Sequence, residues 1–190
     1  MTDVFFASDT HFSHTNVWAK FKKDDGVTPL RPFTSNEEMD EIMIQNWNSV
    51  VKENSIVYHL GDVAMNKKHV PKVAAMNGRK RLILGNHDNN LPTKDYLYYF
   101  EQVYGVKVLD GLILSHVPLH RGSVVPRMGT NIHGHLHGSD IPDGAYYCVS
   151  MENIDYTPIS LEDLRVKIAE KREKYSELDY EGRSSGNGPG

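Results

Sequence analysis

Three short apolar segments, each closed by a cluster of polar residues, constrain this chain more than any other feature of its sequence. Each segment has the length and composition of a buried strand. Segments 4–8, 56–60 and 81–84 are followed by Asp9-Thr10-His11, Gly61-Asp62 and Gly85-Asn86-His87-Asp88. Because ligands of open α/β sheets bind outside the carboxyl ends of the strands, we expect the three clusters to lie together.

Helical patterns separate these segments. Residues 35–51 predict a helix, because Ser35 and Glu38 form a capping box and apolar residues follow at helical spacing. Shorter helices are expected at 68–76 and 92–102, and a final helix at 160–175. Strands are expected at 130–133 and 146–149, and a hairpin joins 106–109 to 112–115 across Asp110-Gly111. The chain therefore predicts an α/β sandwich with a mixed sheet core.

Bulk properties narrow the class of protein. The 190 residues suit one domain, expected at 1–181, and the Gly/Ser/Pro-rich segment 182–190 is expected to be a disordered tail. A net charge of −4 argues against a long nucleic-acid partner. With one cysteine, and with neither a signal peptide nor a membrane span expected, we predict a cytoplasmic protein without a membrane partner. The oligomeric state stays open.

Two further clusters contain histidine. Ser115-His116 ends one expected strand, and Gly134-His135-Leu136-His137-Gly138 follows another. Each cluster has an ordinary interpretation when taken alone: an Asp cap, a polar turn, a structural histidine, or a histidine-rich loop with incidental metal affinity. Their order and their placement at strand ends argue against independent coincidence.

Together the five clusters resemble the calcineurin-like metallophosphoesterase family. The family pattern is Asp-x-His, Gly-Asp, Gly-Asn-His-Asp/Glu, His and Gly-His-x-His, and all five elements occur in order from Asp9 to His137. Residues 8–14, 31–33 and 46–48 also look like a small bacterial and phage-type branch. The resemblance implies an α/β/β/α sandwich with mixed sheets.

The resemblance also implies a site for two metal ions. The first ion would be held by Asp9, His11 and His137, and the second by Asn86, His116 and His135, with Asp62 bridging them. This set suits manganese, and iron, zinc, nickel or magnesium stay open. A hydroxide between the metals would attack phosphorus, and His87 would act as general acid on the leaving oxygen.

The chain departs from the protein phosphatases of this superfamily after Gly61-Asp62. Val63-Ala64 follows, without the second Asp and the Arg of that group, so dephosphorylation of proteins is not expected. Asp88 is then the candidate partner of His87. Candidate phosphate-binding residues are Arg31, Arg121 and Arg127, and for each the alternative is a solvated loop arginine.

We therefore expect a metal-dependent phosphoesterase acting on a small phosphate ester, with a diester or nucleotide favoured over a monoester. Two alternatives stay open. One is a non-catalytic metal-binding interaction scaffold, and the other is a nuclease for short oligonucleotides.

Overall fold

The computed structural model describes residues 2–124 and 129–184. The strands are β1 (Val4–Ala7), β2 (Ile56–His59), β3 (Arg79–Ile83), β4 (Gln102–Tyr104), β5 (Lys107–Leu109), β6 (Leu112–Leu114), β7 (Thr130–His133), β8 (Tyr146–Cys148) and β9 (Ile159–Ser160). The α-helices are α1 (Asn16–Ala19), α2 (Asn36–Val50), α3 (Thr93–Tyr96), α4 (Arg121–Val124) and α5 (Leu161–Ser184). Short 3-10 helices span Lys67–Ala75, Asp88–Asn90 and Met151–Ile154.

The first sheet has the strand order β4-β3-β2-β1-β9. Strands β1 to β4 run parallel, and β9 pairs antiparallel with β1. Parallel neighbours need a crossover, which α2 supplies between β1 and β2 and the Lys67–Ala75 helix between β2 and β3. The three strands named in the sequence analysis are therefore adjacent, and their carboxyl ends share one edge.

The second sheet has the strand order β5-β6-β7-β8. Its β5–β6 pair is the expected antiparallel hairpin, and Asp110 and Gly111 have φ values of 46° and 77°, as a type I′ turn requires. Strands β6, β7 and β8 are parallel. Both sheets are therefore mixed.

The two sheets meet at the ends of β1 and β8. Ser8 forms a parallel bridge with Ser150, and the Met151 amide donates to the Ser8 carbonyl at 3.1 Å. The fold class predicted from the sequence, an α/β sandwich with two mixed sheets, is confirmed. This contact also brings the polar clusters of one sheet to the histidine-bearing ends of the other.

Helix α2 begins as the sequence predicts, with one difference at its cap. The Ser35 hydroxyl accepts from the Glu38 amide at 3.0 Å, and the short hydrogen bonds of the Glu38 carboxylate come from the amide and hydroxyl of Thr34, one residue earlier than a capping box expects. Met39, Met43 and Trp47 are buried on one face of α2. The helix is thereby packed against the first sheet beside the site.

Three segments differ from expectation. The helix expected at 92–102 is a single turn, α3, after which the chain enters β4; the tyrosines and phenylalanine of this stretch favour strand and turn over helix. Strand β9 is two residues long and carries no sequence signal of its own. Helix α5 continues to Ser184, so residues 182–184 are helical, while 185–190 lie outside the described residues. The domain boundary expected at residue 181 stays a prediction.

Among residues 2–124 and 129–184, no helix is both long enough and apolar enough to cross a lipid bilayer.

Candidate metal centre

The first group of possible metal ligands consists of Asp9, His11 and His137, and we call it the first triad. One ligand atom from each of the three lies within 4.8 Å of the others. Asp9 and His11 follow β1 and are buried, and His137 follows β7. The Nε2 atom of His11 is 3.7 Å from Oδ1 of Asp9. A cation can therefore be held between a carboxylate and two imidazoles.

The second group consists of Asp62, His116 and His135, which we call the second triad. Its ligand atoms also lie within 4.8 Å of one another. The Oδ1 atom of Asn86 joins it, at 2.9 Å from His116 Nε2 and 2.9 Å from His135 Nδ1. A neutral amide oxygen thus completes a second pocket of possible ligands, on a more solvent-exposed side.

Asp62 connects the two triads. Its Oδ2 atom lies 3.6 Å from Nε2 of His11 and 3.3 Å from Nε2 of His116. His87 also turns towards this point, with its Nε2 atom 3.9 Å from the same oxygen. One carboxylate oxygen is therefore shared by the two candidate sites and faces the imidazole expected to act on substrate.

The backbone at the site is strained. Positive φ values occur at five residues of the triads: Asp9 (59°), His11 (46°), Asp62 (55°), His135 (69°) and His137 (51°). Such conformations are uncommon outside glycine and cost about 1–3 kcal/mol each. Such conformations are found mostly at functional sites, where the surrounding structure enforces them. Here they direct the side chains of separate loops towards the space between the two triads.

Glycines allow these loops to approach. Gly61 has a φ of 96°, and a Cβ there would lie 2.5 Å from the Gly85 nitrogen. At Gly134 a Cβ would lie 2.0 Å from the Ser8 hydroxyl oxygen and 2.4 Å from Oδ2 of Asp9. Any larger residue at these two positions would push the loops apart, so Gly134 is required by contact and Gly61 by contact as well as by conformation.

The donor atoms fit divalent cations. Within the described part of the chain, Asp9 Oδ1 and both ring nitrogens of His11 are buried without a hydrogen-bond partner. Buried polar atoms normally have partners, and a cation would satisfy the carboxylate and one imidazole nitrogen. Carboxylates, imidazoles and one amide suit manganese, iron or zinc. Two His/Asp groups able to hold metal ions are thus present.

Charge in the site favours cation binding. Burial by itself would raise the pKa of Asp9, but the neighbouring histidines, His11 above all, lower it below its ordinary range. Burial acts against the charged form of His116, yet the Asp62 carboxylate raises the pKa of that imidazole to about 9. Burial also opposes the charged form of Asp62, but His116 lowers the pKa of that carboxyl group. Both carboxylates therefore favour the anionic form, and a metal ion bound by His116 would replace a proton.

Arg31 lies beneath the first triad and is fully buried. Its Nε atom donates to Oε1 of Glu152 at 2.7 Å, and its other nitrogens donate to the carbonyl oxygens of Thr10 at 2.9 Å and Asp9 at 2.5 Å. The Glu152 oxygen is also 3.1 Å from Nδ1 of His137. Arg31 is therefore not a solvated loop arginine, and it ties the loop after β1 to the histidine loop.

Glu152 fixes the orientation of His137. A proton on Nδ1 of His137, donated to Glu152, leaves Nε2 free to bind a metal. Burial raises the pKa of Glu152, but Arg31 and His137 outweigh it and lower that pKa to about 2. The side chain is thus an anion held between a guanidinium and an imidazole, although the sequence analysis did not single it out.

Asp88 holds loops together and does not contact the His87 ring. Its Oδ2 accepts the amides of Asp62 and Gly85, both at 2.8 Å, and its Oδ1 accepts the Val63 amide at 3.0 Å. The carboxylate is buried and clamps the ends of β2 and β3 in register. The catalytic role expected for Asp88 stays a prediction, and these contacts give it a structural one.

Comparisons with known proteins place the chain among homologues. No protein-family model matches it. The uncharacterized protein MJ1445 of Methanocaldococcus jannaschii is 34% identical over 184 residues, which cover 90% of this chain and 93% of that protein. This chain belongs to the MJ1445 family. The gene 66 protein of Mycobacterium phage L5 is 32% identical over 97 residues, or 48% of this chain and 42% of the phage protein.

A solved structure shares the fold of this member of the MJ1445 family. The crystal structure of AQ665, a protein of unknown function from Aquifex aeolicus, superposes with a TM-score of 0.65 over 87% of this chain and 98% of that one, at 23% identity. At this identity the likeness establishes the fold alone. The chemistry of the MJ1445 family must therefore be argued from the residues of the site.

The remaining sequence-predicted arginines lie away from the triads or outside the described residues. Arg121 is exposed and pairs with Asp143, with Nε and Oδ2 2.6 Å apart. Arg127 falls within 125–128, outside the described residues. A phosphate-binding role for these arginines stays a prediction, as it does for Arg31.

Sequence reasoning missed Arg31 as a bracing residue and Glu152 altogether. Glu152 follows the end of β8 just as the five polar clusters follow their strands, so the same placement rule applied to this sixth strand would have singled it out. Arg31 carried no such signal, because its partner lies 121 residues away along the chain.

Proposed function

We propose that this protein hydrolyses phosphate esters with two divalent metal ions, as metallophosphoesterases of the calcineurin-like type do. One observation carries the proposal. The Oδ2 atom of Asp62 lies within 4 Å of imidazole nitrogens from both triads, at 3.6 Å from His11 and 3.3 Å from His116. A shared carboxylate between two ligand sets is the arrangement expected of a dinuclear site.

The residues divide into two ligand sets. Asp9, His11 and His137 would hold one ion, and Asn86, His116 and His135 the other, with Asp62 in contact with both. When bound, such a pair of cations polarises a phosphoryl oxygen and lowers the pKa of water. The mixed oxygen and nitrogen set favours manganese, with iron, zinc, nickel and magnesium as alternatives.

His87 is the residue that would act on the substrate. Its side chain is 41% exposed, whereas the side chains of His11 and His116 are each 3% exposed. The ring packs edge-on against His11 with centroids 5.7 Å apart, and its amide donates to Oδ1 of Asp62 at 2.9 Å. From this position Nε2 of His87 can donate a proton to the leaving oxygen of a bound ester.

A diester suits the site better than a monoester or a phosphoprotein. A phosphomonoester dianion is usually met by a free guanidinium. The guanidinium beneath the first triad, that of Arg31, is already bound to Glu152 and to two backbone carbonyls. Val63 and Ala64, which follow Asp62, are fully buried and apolar. These features favour a phosphodiester or a nucleotide ester, which carries less charge at the phosphate.

The experiment begins with metal-free protein. Calorimetric titration with manganese should give two ions per chain, and the loaded protein should hydrolyse bis(4-nitrophenyl) phosphate until a chelator is added. 4-Nitrophenyl phosphate measured in parallel separates diesterase from monoesterase activity. Binding of two ions without turnover of either ester would favour a metal-binding interaction scaffold. If no manganese bound, both the phosphoesterase and the metal-binding scaffold would be excluded.

A further inference from the structure

A cleft of about 520 Å³ opens beside the first triad, and we call it the side cleft. Three segments form its walls: residues 21–30 (the finger), the loop that carries His137, and the 3-10 helix that carries Glu152. Its lining includes Phe21, Leu30, Leu136, Ser139 and Asn153. Because His137 and Glu152 belong to the side cleft as well, it is continuous with the candidate metal centre.

The finger has its own hydrogen-bonded structure. Its two arms pair through the Leu30 amide and the Phe21 carbonyl at 2.9 Å, and through the Lys23 amide and the Thr28 carbonyl at 2.8 Å. At its tip, Oδ1 of Asp25 accepts the amides of Val27 and Thr28, both at 2.8 Å. The wall that it gives the side cleft is therefore hydrogen-bonded along its length.

The finger is also attached to the opposite wall. The Ser139 hydroxyl, in the loop that carries His137, donates to Oδ1 of Asp24 at 3.3 Å. The two other walls are joined to each other, because the Asn153 side-chain amide donates to the carbonyl oxygen of His137 at 2.5 Å. The long polar loop between β1 and α2 thus acquires a defined place, as a wall standing over one side of the metal centre.

Phe21 gives the side cleft an aromatic surface. The side chain is 44% exposed, although large apolar residues are usually covered in a folded chain. Its ring stands edge-on to His14, with centroids 5.9 Å apart and an interplanar angle of 86°. Leu30 and Leu136 add apolar wall, Ser139 and Asn153 add polar groups, and residues 22–25 add two lysines and two aspartates. Aromatic and apolar wall together with a few polar groups is the usual lining of a small-molecule site.

We propose that the side cleft binds the organic group of the phosphate ester and that Phe21 selects an aromatic group, as in a nucleoside, over a small alkyl group. The inference rests on the proposed function, because it places the phosphate at the triads. An ester group that leaves this phosphate past His137 enters the side cleft directly. The cleft volume lies within the usual range for ligand pockets, about 300–1,000 Å³.

Binding measurements test the inference separately from turnover. Calorimetry on the manganese-loaded protein compares thymidine 5′-phosphate with methyl phosphate, which share a phosphate group and differ in the organic group. The thymidine ester should bind about tenfold more tightly, since stacking of one base on an aromatic ring is worth that much. Phe21→Ala should remove this preference, and Phe21→Trp should retain it.

Val27→Ala is the matched control, because Val27 lies at the tip of the same finger, is 77% exposed and does not line the cleft. It should leave both affinities unchanged. Equal affinities in the unmodified protein would overturn the inference. The inference would also be overturned if Phe21→Ala lowered both affinities by the same factor, because Phe21 would then act only through its contact with His14. Selective binding without hydrolysis of any ester would remove the proposed function and keep the side cleft as a nucleotide site.

Discussion

The two triads differ in how firmly the chain holds them. In the first triad, Asp9 and His11 are buried and the ring of His137 is braced by Glu152. In the second triad, His135 and the adjoining Asn86 are exposed to solvent. The first triad is therefore largely enclosed by protein, whereas part of the second faces water.

The supports beneath the triads differ in kind. The first rests on a buried ion pair, Arg31 with Glu152, in which the loss of one partner would strand the charge of the other at a cost of about 3–5 kcal/mol. The second lacks such a guanidinium: His116 Nδ1 donates to the Leu60 carbonyl at 2.8 Å, its Nε2 lies 3.3 Å from the Asp62 carboxylate, and Asn86 supplies a neutral amide. We therefore expect the first triad to bind its metal ion more tightly.

Replacing Asp62 should have the largest effect, because it removes the group that the two triads share. Asp62→Asn keeps the size of the side chain and the hydrogen bond from the His87 amide, but it removes the charge. Loss of the charge stabilisation that two cations depend on should lower turnover of bis(4-nitrophenyl) phosphate on the order of ten-thousandfold. Both calorimetric binding steps for manganese should weaken.

Asp110→Asn is the matched control for this change, because Asp110 is an exposed aspartate in a turn of the second sheet, away from the triads. It should leave metal binding and turnover unchanged. If Asp62→Asn weakened only one of the two steps, Asp62 would belong to a single site and the bridging geometry would be wrong.

His87→Ala should have the next largest effect and should separate chemistry from metal binding. The side chain faces Asp62 but lies outside both triads. Turnover should fall about a thousandfold, since a positioned proton donor is worth that much, while two manganese ions still bind. His120→Ala, at an exposed histidine, is the control. Normal turnover in the His87→Ala protein would show that the proton comes from elsewhere.

How much the sequence could predict depends on whether the signal was local. Strands β1, β2 and β3 and the clusters after them were predictable, because each is a short apolar run followed at once by its polar residues. The β5–β6 hairpin was predictable from Asp110-Gly111 for the same reason. The fold class followed from the alternation of these elements.

Contacts between distant segments were not predictable. The partner of Arg31 is decided by where β8 ends relative to β1, which only the packed sheets determine. Strand β9 is a two-residue extension that exists because β1 offers an open edge. In both cases tertiary packing decides the structure, and no propensity or spacing within the segment reports it.

Glu152→Gln should damage the first triad selectively. The change keeps the shape of the side chain but leaves Arg31 without its counter-charge. It also weakens the hydrogen bond from Nδ1 of His137. Loss of such an orienting partner typically lowers metal affinity about 10- to 100-fold, so the tighter manganese step should weaken while the other is retained. Glu162→Gln, at an exposed position of α5, is the control. Weakening of both steps alike would mean that Glu152 supports the fold in general.

Asn86→Ala should have the smallest effect and should fall on the second triad alone. The amide oxygen is neutral and exposed, so a water molecule can take its place at modest cost. The weaker manganese step should lose roughly tenfold in affinity, and the tighter step should not change. Asn86→Asp, which keeps the oxygen and adds charge, should strengthen the weaker step.

The pair of Asn86 variants also tests the ranking of the two triads. The calorimetric steps by themselves do not say which triad binds first, but a change confined to the weaker step would assign that step to the exposed triad. If Asn86→Ala weakened the tighter step instead, then exposure to water would not determine affinity here. The charge on Asp62 and His116 would then outweigh the burial and the Arg31–Glu152 support of the first triad.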